Sequence, residues 1–397
     1  MLTIPNRIIS ASLMVLAGLL FSLLMMEGVL RALGPDWLRM RMREINAGQK
    51  VYFDSDADWP LECSETGTGC FRFTPGSEFR VVTREYRHSV VIDEHGGRAT
   101  NASISDDVPA VPFLGDSFTF GIGVEDTETF VSLLDHGSFP DFLNLGIPGN
   151  ALPQHIDIAE RRHMELGSPP LFLFAFFLGN DFQNLVESGH IMDVNASSES
   201  SDLPKETYPT LTSRFDLLER INSYVLHDSV LRRIYLVQWV RHKVLLLVNR
   251  ASADLMDPIF LIMRKDRSYM NDARYFLEQE ILRLIGTARK LQFDIAFVIL
   301  PDRHQVNSDL LEVKSTYYGV SLKQIDTRLP NRTLTDMLDT HGVPYVDITE
   351  CMADQDDVQA LYYSVDNHFT ARGHKAAAAC MSPGLEKIVL AKLSMSD

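Results

Sequence analysis

The sequence predicts an α/β fold: a flavodoxin-like, three-layer, doubly wound parallel sheet, with a helical insertion and an N-terminal transmembrane helix. Three observations carry this. Five short apolar runs, at 111–114, 142–145, 171–177, 293–300 and 345–348, are apolar on both faces rather than alternating. Strands of that kind suit a parallel sheet covered by helices on each side. Helical patterns lie between the runs, and an uncharged apolar stretch occupies residues 8–26.

The chain has 397 residues, enough for one large domain with additions or for two. With 45% hydrophobic and 23% charged residues its composition is globular. A formal net charge of -16 argues against a nucleic-acid partner, which needs a basic face.

Residues 8–26 form the first element. A helix of about 19 residues spans roughly 28 Å, close to the roughly 30 Å hydrocarbon core of a bilayer. Neither a buried core helix nor a cleaved signal peptide fits as well as an uncleaved anchor. No polar face marks the stretch, and no small-residue cleavage site follows it before Glu27, Arg31 and Arg39. Arg7 lies before the span and Arg31, Arg39, Arg41 and Arg43 after it, so a literal count of basic residues favours a cytoplasmic body. Long domains translocate largely regardless of that count. The cysteines point the other way. There are four, and Cys63 and Cys70 close a short Ser/Thr/Gly loop. A disulfide there requires an oxidising compartment, and two free thiols are the alternative. Cys351 and Cys380 are read either as a second pair or as buried thiols. No CxxC pair exists, so a zinc site is not expected. The preferred reading is an anchor at 1–30 with a periplasmic or otherwise extracytoplasmic body.

Residues 31–106 read as a stalk and a small irregular β-rich segment, with strand candidates at 79–83 and 89–92. The main domain covers 107–393. A helical insertion at about 188–270 interrupts it and includes a polar loop at 195–204. Within the insertion, residues 230–250 are apolar with basic punctuation at Arg232, Arg233, Arg241, Lys243 and Arg250. A cap packed on the core is the preferred reading, and a membrane-surface helix or acyl-chain lid the sharper one. A helix at 272–291 places Phe276, Leu277, Ile281, Leu284, Ile285, Ala288 and Leu291 on one stripe. Another, at 331–341, stops at Gly342.

In doubly wound sheets ligands sit beyond the carboxyl ends of the strands. Three polar motifs fall there. Gly115-Asp116-Ser117 follows the first strand, Gly179-Asn180-Asp181 the third, and Asp366-Asn367-His368 comes near the chain's end. A serine hydroxyl is a weak nucleophile until a base takes its proton. His368 is the candidate base and Asp366 the candidate group orienting its ring. A helix near 126–134 is expected to bring positive backbone dipole toward Ser117. Attack on an ester carbonyl builds negative charge on oxygen, and three donors are on offer: the amides of Ser117 and Gly149 and the side chain of Asn180. Asp181 is read as fixing its loop, and His374 as structural.

In this order the blocks resemble the SGNH (GDSL) hydrolase superfamily: 115–121, 144–149, 178–181 and 366–368, covering about 107–187 and 290–393. The resemblance implies a flavodoxin-like fold (the SGNH hydrolase fold), no cofactor, and ester hydrolysis or acyl transfer. By motif it makes Ser117 the nucleophile, Gly149 and Asn180 oxyanion donors and His368 the base. The family places its aspartate three residues before the histidine, where this chain has Val365. Asp366 stands two before, a spacing similar to the alginate-acetylation branch. The expected function is a membrane-anchored serine esterase acting on acyl esters, O-acetyl among them, of a carbohydrate or lipid. The alternatives are a polysaccharide O-acyltransferase using the same site and a catalytically silent anchored binding module.

Overall fold

The computed structural model describes residues 6–47, 59–63, 70–101, 110–134, 141–187, 233–248, 258–265 and 269–393. The polar loop at 195–204 and most of the expected insertion lie outside them. The chain divides into two compact units.

In chain order the strands of the larger unit are β1 (Leu61–Cys63), β2 (Cys70–Phe73), β3 (Glu78–Val82), β4 (Arg87–Val91), β5 (Val111–Gly115), β6 (Phe142–Gly146), β7 (Leu171–Phe177), β8 (Asp294–Leu300) and β9 (Tyr345–Asp347). The last five form one sheet in the order β6-β5-β7-β8-β9, with every adjacent pair parallel. This is the flavodoxin-like order, in which the chain reverses direction of winding beside β5.

Successive side chains of a strand face opposite sides, so a run apolar at every position feeds two cores. On β7, Leu171, Leu173, Ala175 and Phe177 enter one core, and Phe172, Phe174 and Phe176 the other. Helix Ala371–Leu393 lays Ala377, Met381, Leu385 and Val389 on the first side. Helices Leu152–Arg162, Tyr269–Leu291 and Leu329–His341 cover the second with Ile156, Leu277, Ile281, Leu284, Leu334 and Leu338. Three layers result. Gly342 ends its helix at φ 66°, in the left-handed region that suits glycine.

The strand candidates at 79–83 and 89–92 become the antiparallel hairpin β3–β4. Its inward residues Val81 and Val90 share a core with Leu114 and Phe120, so the hairpin packs on the same side of the sheet as helix Leu152–Arg162.

One expected element differs. No single helix runs from 126 to 134; a 3₁₀ turn, Asp126–Glu128, is followed by a separate helix, Phe130–Leu134. Thr129 is extended at φ -66° and ψ 148°, and its hydroxyl accepts the Ser132 N–H at 3.1 Å, capping the second piece. The helix that starts at Ser117 is a shorter one, Ser117–Phe120.

The smaller unit holds helices Asn6–Leu33, Asp36–Ala47 and Tyr235–Val248. The segment Met14–Leu33 is long and apolar enough to cross a membrane, and residues 14–26 of it are exposed. Near its end the Glu27 carboxylate accepts the N–H groups of Tyr235 and Leu236 at 3.1 and 2.8 Å. It thereby caps the first turn of helix Tyr235–Val248, whose N–H groups have no partner within the helix. Trp37 lies against His242, ring centroids 3.9 Å apart.

Both cysteine pairs are joined, Cys63 to Cys70 and Cys351 to Cys380.

Candidate active site

Ser117 is held by the turn that leaves β5. A side chain at Gly115 would collide with Thr119 and Ala175, so only glycine lets the chain fold back there. Asp116 then caps helix Ser117–Phe120, its Oδ1 accepting the Phe118 N–H at 2.9 Å. Gly121, at φ 88°, closes the helix. Phe118, Thr119 and Phe120 are buried while Ser117 stays partly open. Beneath this turn the fully buried Arg98 donates to the carbonyls of Phe120, Gly121 and Val124 at 2.9, 2.5 and 2.5 Å, and to Asp126 at 2.6 Å. A buried guanidinium is tolerated when its donors are filled in this way.

His368 reaches the serine from the loop before the last helix. Its Nε2 lies 2.8 Å from Ser117 Oγ, and its Nδ1 lies 3.1 Å from Asp366 Oδ1. An ionised carboxylate can only accept, so Nδ1 carries the proton and Nε2 accepts from the serine hydroxyl. Phe118 supports the ring from one side at 5.1 Å between centroids. Asn367, between Asp366 and His368, sits at φ 76°. Along an extended strand residues two apart face the same way but stand apart; the left-handed turn at Asn367 folds Asp366 back toward the imidazole.

The loop after β6 approaches the Ser117 turn through the Ile147 N–H, which donates to the Gly115 carbonyl at 2.9 Å. Gly149 lies just beyond, exposed, at φ 85°, with open space where a side chain would stand. Asn180 follows β7, its side chain beside Asp116 and its Oδ1 buried without a partner. Asp181 accepts the Phe177 N–H at 2.8 Å and so fixes this loop.

The acids under the turn are electrostatically unusual. Burial pushes Asp116 up to about 6, against the opposing pull of the Phe118 N–H. Burial also raises Asp181 well above the ordinary carboxyl range, and the charge of Asp116 adds to it. Burial holds His88 and His155 down to about 3 each, so both are neutral imidazoles. His374 is likewise pushed down by burial, and its Nδ1 accepts the Phe130 N–H at 3.1 Å.

Ser117, Asp366 and His368 are thus brought into one chain of contacts, with Asn180 against the same turn through Asp116 and Gly149 on the neighbouring loop. Arg98 and the hairpin residues Glu85 and Tyr86 were not singled out by the sequence. Tyr86 donates its hydroxyl to Asp366 Oδ2. Glu85 and Tyr86 lie between the strand candidates at 79–83 and 89–92, and no local pattern marks their partner. Among the described residues no group of His, Cys, Asp and Glu is gathered as a metal site.

No family model matches the chain, and no curated protein matches it. Several solved structures do. A member of the lipolytic G-D-S-L family from Veillonella parvula aligns at 12% identity and TM-score 0.35, covering 68% of this chain and 95% of that one. A lipase/acylhydrolase from Enterococcus faecalis aligns at 11% identity and TM-score 0.35, covering 70% and 96%. A GDSL-like lipase from Bacteroides thetaiotaomicron aligns at 12% identity and TM-score 0.34, covering 72% and 92%.

Proposed function

We propose that this chain is a serine esterase of the SGNH (GDSL) type, anchored in a membrane with its catalytic body on the oxidising side. The observation that carries the chemistry is the line Ser117 Oγ, His368 Nε2, His368 Nδ1, Asp366 Oδ1, with contacts of 2.8 and 3.1 Å. Nucleophile, base and orienter stand in the order that acyl transfer requires.

Ser117 Oγ attacks the ester carbonyl carbon while its proton moves to His368 Nε2. Asp366 accepts from Nδ1–H and stabilises the imidazolium that forms. The carbonyl π pair moves onto oxygen, and the amides of Ser117 and Gly149 and the Asn180 side chain receive that charge. An amide side chain has two N–H donors, so Asn180 can serve Asp116 with one and the oxyanion with the other. When the tetrahedral centre collapses, its C–O bond to the leaving alcohol breaks and His368 Nε2–H protonates that oxygen. A second hydroxyl then attacks the acyl-serine and gives its proton to His368 Nε2; the C–O bond to Ser117 Oγ breaks as His368 returns that proton to Oγ, and the acyl group leaves on the second oxygen. Water as that hydroxyl makes the enzyme an esterase.

The substrate in this reading is an acyl ester, O-acetyl included, of a carbohydrate or lipid. The Asp366–His368 spacing favours a second reading, in which a sugar hydroxyl replaces water and the enzyme is an O-acyltransferase. Both readings share the acyl-serine. The extracytoplasmic assignment is supported by the two disulfides and by the apolar segment Met14–Leu33.

The test is Ser117→Ala. Labelling by a fluorophosphonate probe and release of p-nitrophenol from its acetate ester are both expected to vanish while the melting temperature holds. Labelling that survives the substitution removes Ser117 from its role. With an acetyl-ester donor and a polysaccharide acceptor, acetyl found only as free acetate rejects the transferase reading.

A further inference from the structure

We infer that Tyr86 is a positioning residue for the triad carboxylate, and that the β3–β4 turn which carries it is part of the active site; the inference rests on the serine–histidine reading above. Asp366 uses its two oxygens in different directions. Oδ1 faces His368 Nδ1, and Oδ2 accepts the Tyr86 hydroxyl. The carboxyl plane is therefore set from two sides, and Tyr86 comes from a hairpin 280 positions earlier in the chain.

The turn itself is built to stay fixed. Thr83 Oγ1 accepts the N–H groups of Glu85 and Tyr86 at 3.2 Å each, and the Thr83 N–H donates to the Tyr86 carbonyl at 2.9 Å. Glu85 then clamps the backbone on which Asp366 sits. Its carboxylate accepts the Asp366 N–H at 2.7 Å, the Val365 N–H at 3.0 Å and the Ser364 hydroxyl at 2.8 Å. From the other side Arg303 donates to the Ser364 carbonyl at 3.0 Å. The Tyr86 ring is buried and packs on Tyr363 at 4.7 Å between centroids, while the Tyr363 hydroxyl donates to the Gly123 carbonyl at 2.7 Å. The hairpin is thereby tied both to the loop of the base and to the loop that follows the nucleophile.

This clamp answers a local difficulty. Asp366 and His368 share a face only because Asn367 adopts φ 76°, a conformation that persists in a residue with a side chain when its surroundings over-determine it. Glu85 fixes the backbone on one side of that turn, and Tyr86 fixes the carboxylate. A hydrogen bond to an ionised acceptor is among the stronger ones, and it also favours the charged form that stabilises the imidazolium.

The experiment is Tyr86→Phe in the full-length chain in detergent, with p-nitrophenyl acetate as the probe. Removing one such bond is expected to lower kcat about 10-fold, with KM changed less than about twofold and the fluorophosphonate labelling rate falling in parallel. In an Asp366→Asn background the same substitution is expected to add less than about twofold, because its target charge is gone. Wild-type kcat in Tyr86→Phe, or an equal loss in both backgrounds, overturns the inference. The proton NMR signal of the His368 Nδ1–H is a readout that needs no turnover. It is expected downfield in the wild type and shifted in Tyr86→Phe; an unchanged position overturns the inference. Should the wild type neither hydrolyse the probe nor label, the esterase reading fails alone and this signal still decides the role of Tyr86. If Tyr86→Phe does not fold, Glu85→Gln, which weakens the same clamp, is expected to give the same split between kcat and KM, and its absence counts against the clamp.

Discussion

His368 Nε2 lies 2.8 Å from Ser117 Oγ although 251 positions separate the two residues. The serine leaves the sheet directly, whereas the histidine sits on the loop between the 3₁₀ turn Val358–Leu361 and the last helix. β5 delivers the serine at its carboxyl end, and the bridge between Tyr362 and Phe369 turns the other loop back toward it. The Tyr363 N–H, bonded to the His368 carbonyl at 2.9 Å, holds the imidazole's own backbone. Neither residue is positioned by its neighbours in sequence alone.

Asn180→Ala is expected to lower turnover by about 10²-fold through loss of one oxyanion donor. The side chain is half-buried at the surface of a loop already fixed by the Asp181 bond to the Phe177 N–H, so the melting temperature is expected to stay near the wild-type value. Steady-state kinetics on an acetyl ester measure this. A drop of less than about threefold in a folded variant would leave Asn180 with a turn role only.

Asp116→Asn is expected to stabilise the protein at alkaline pH. Burial raises the folded-state carboxyl of Asp116 to about 6, whereas the unfolded chain titrates near the ordinary value of 3.8. Between those values the folded protein binds the proton more tightly, so its stability falls as pH rises through that window. The variant, which has no such proton to lose, is therefore expected to unfold at a higher urea concentration than wild type at about pH 8. Below about pH 4 the two proteins are expected to converge. The cap survives, because asparagine accepts a backbone N–H as aspartate does. Urea unfolding across pH is the measurement, and a variant no more stable than wild type at about pH 8 contradicts the assignment.

The sheet was legible because its strands carry their signal locally. β7 matches its apolar run from Leu171 to Phe177 end to end, since every one of those positions is buried. The helix at 272–291 was found by its stripe and begins only slightly earlier, at Tyr269. Ser117 and Asn180 could be named because each directly follows such a strand. What local pattern cannot supply is the partner of a long-range bond. Tyr86 and Arg98 lie far in sequence from Asp366 and Val124, and their side chains act by geometry that only the folded chain creates. The break at Thr129 was missed for a related reason. Its neighbours suit a helix, but its own hydroxyl competes as a cap.

Alkaline phosphatase fused after Ala47, where helix Asp36–Ala47 ends, is expected to be active in a bacterial host. The cysteines set this expectation. Among the described residues none is free, and the pair Cys351–Cys380 ties helix Thr349–Ala353, which follows β9, to the last helix. Such bonds persist in oxidising compartments and are rare in the cytosol, so they favour a body that has crossed the membrane, against a literal count of the arginines around the span. Alkaline phosphatase matures only after export, because it too needs disulfides. An unreduced, denatured sample of the native chain is also expected to resist maleimide labelling and to accept it after dithiothreitol. An inactive fusion together with immediate labelling would put the body in the cytoplasm. The site chemistry would then survive, and the extracytoplasmic assignment would not.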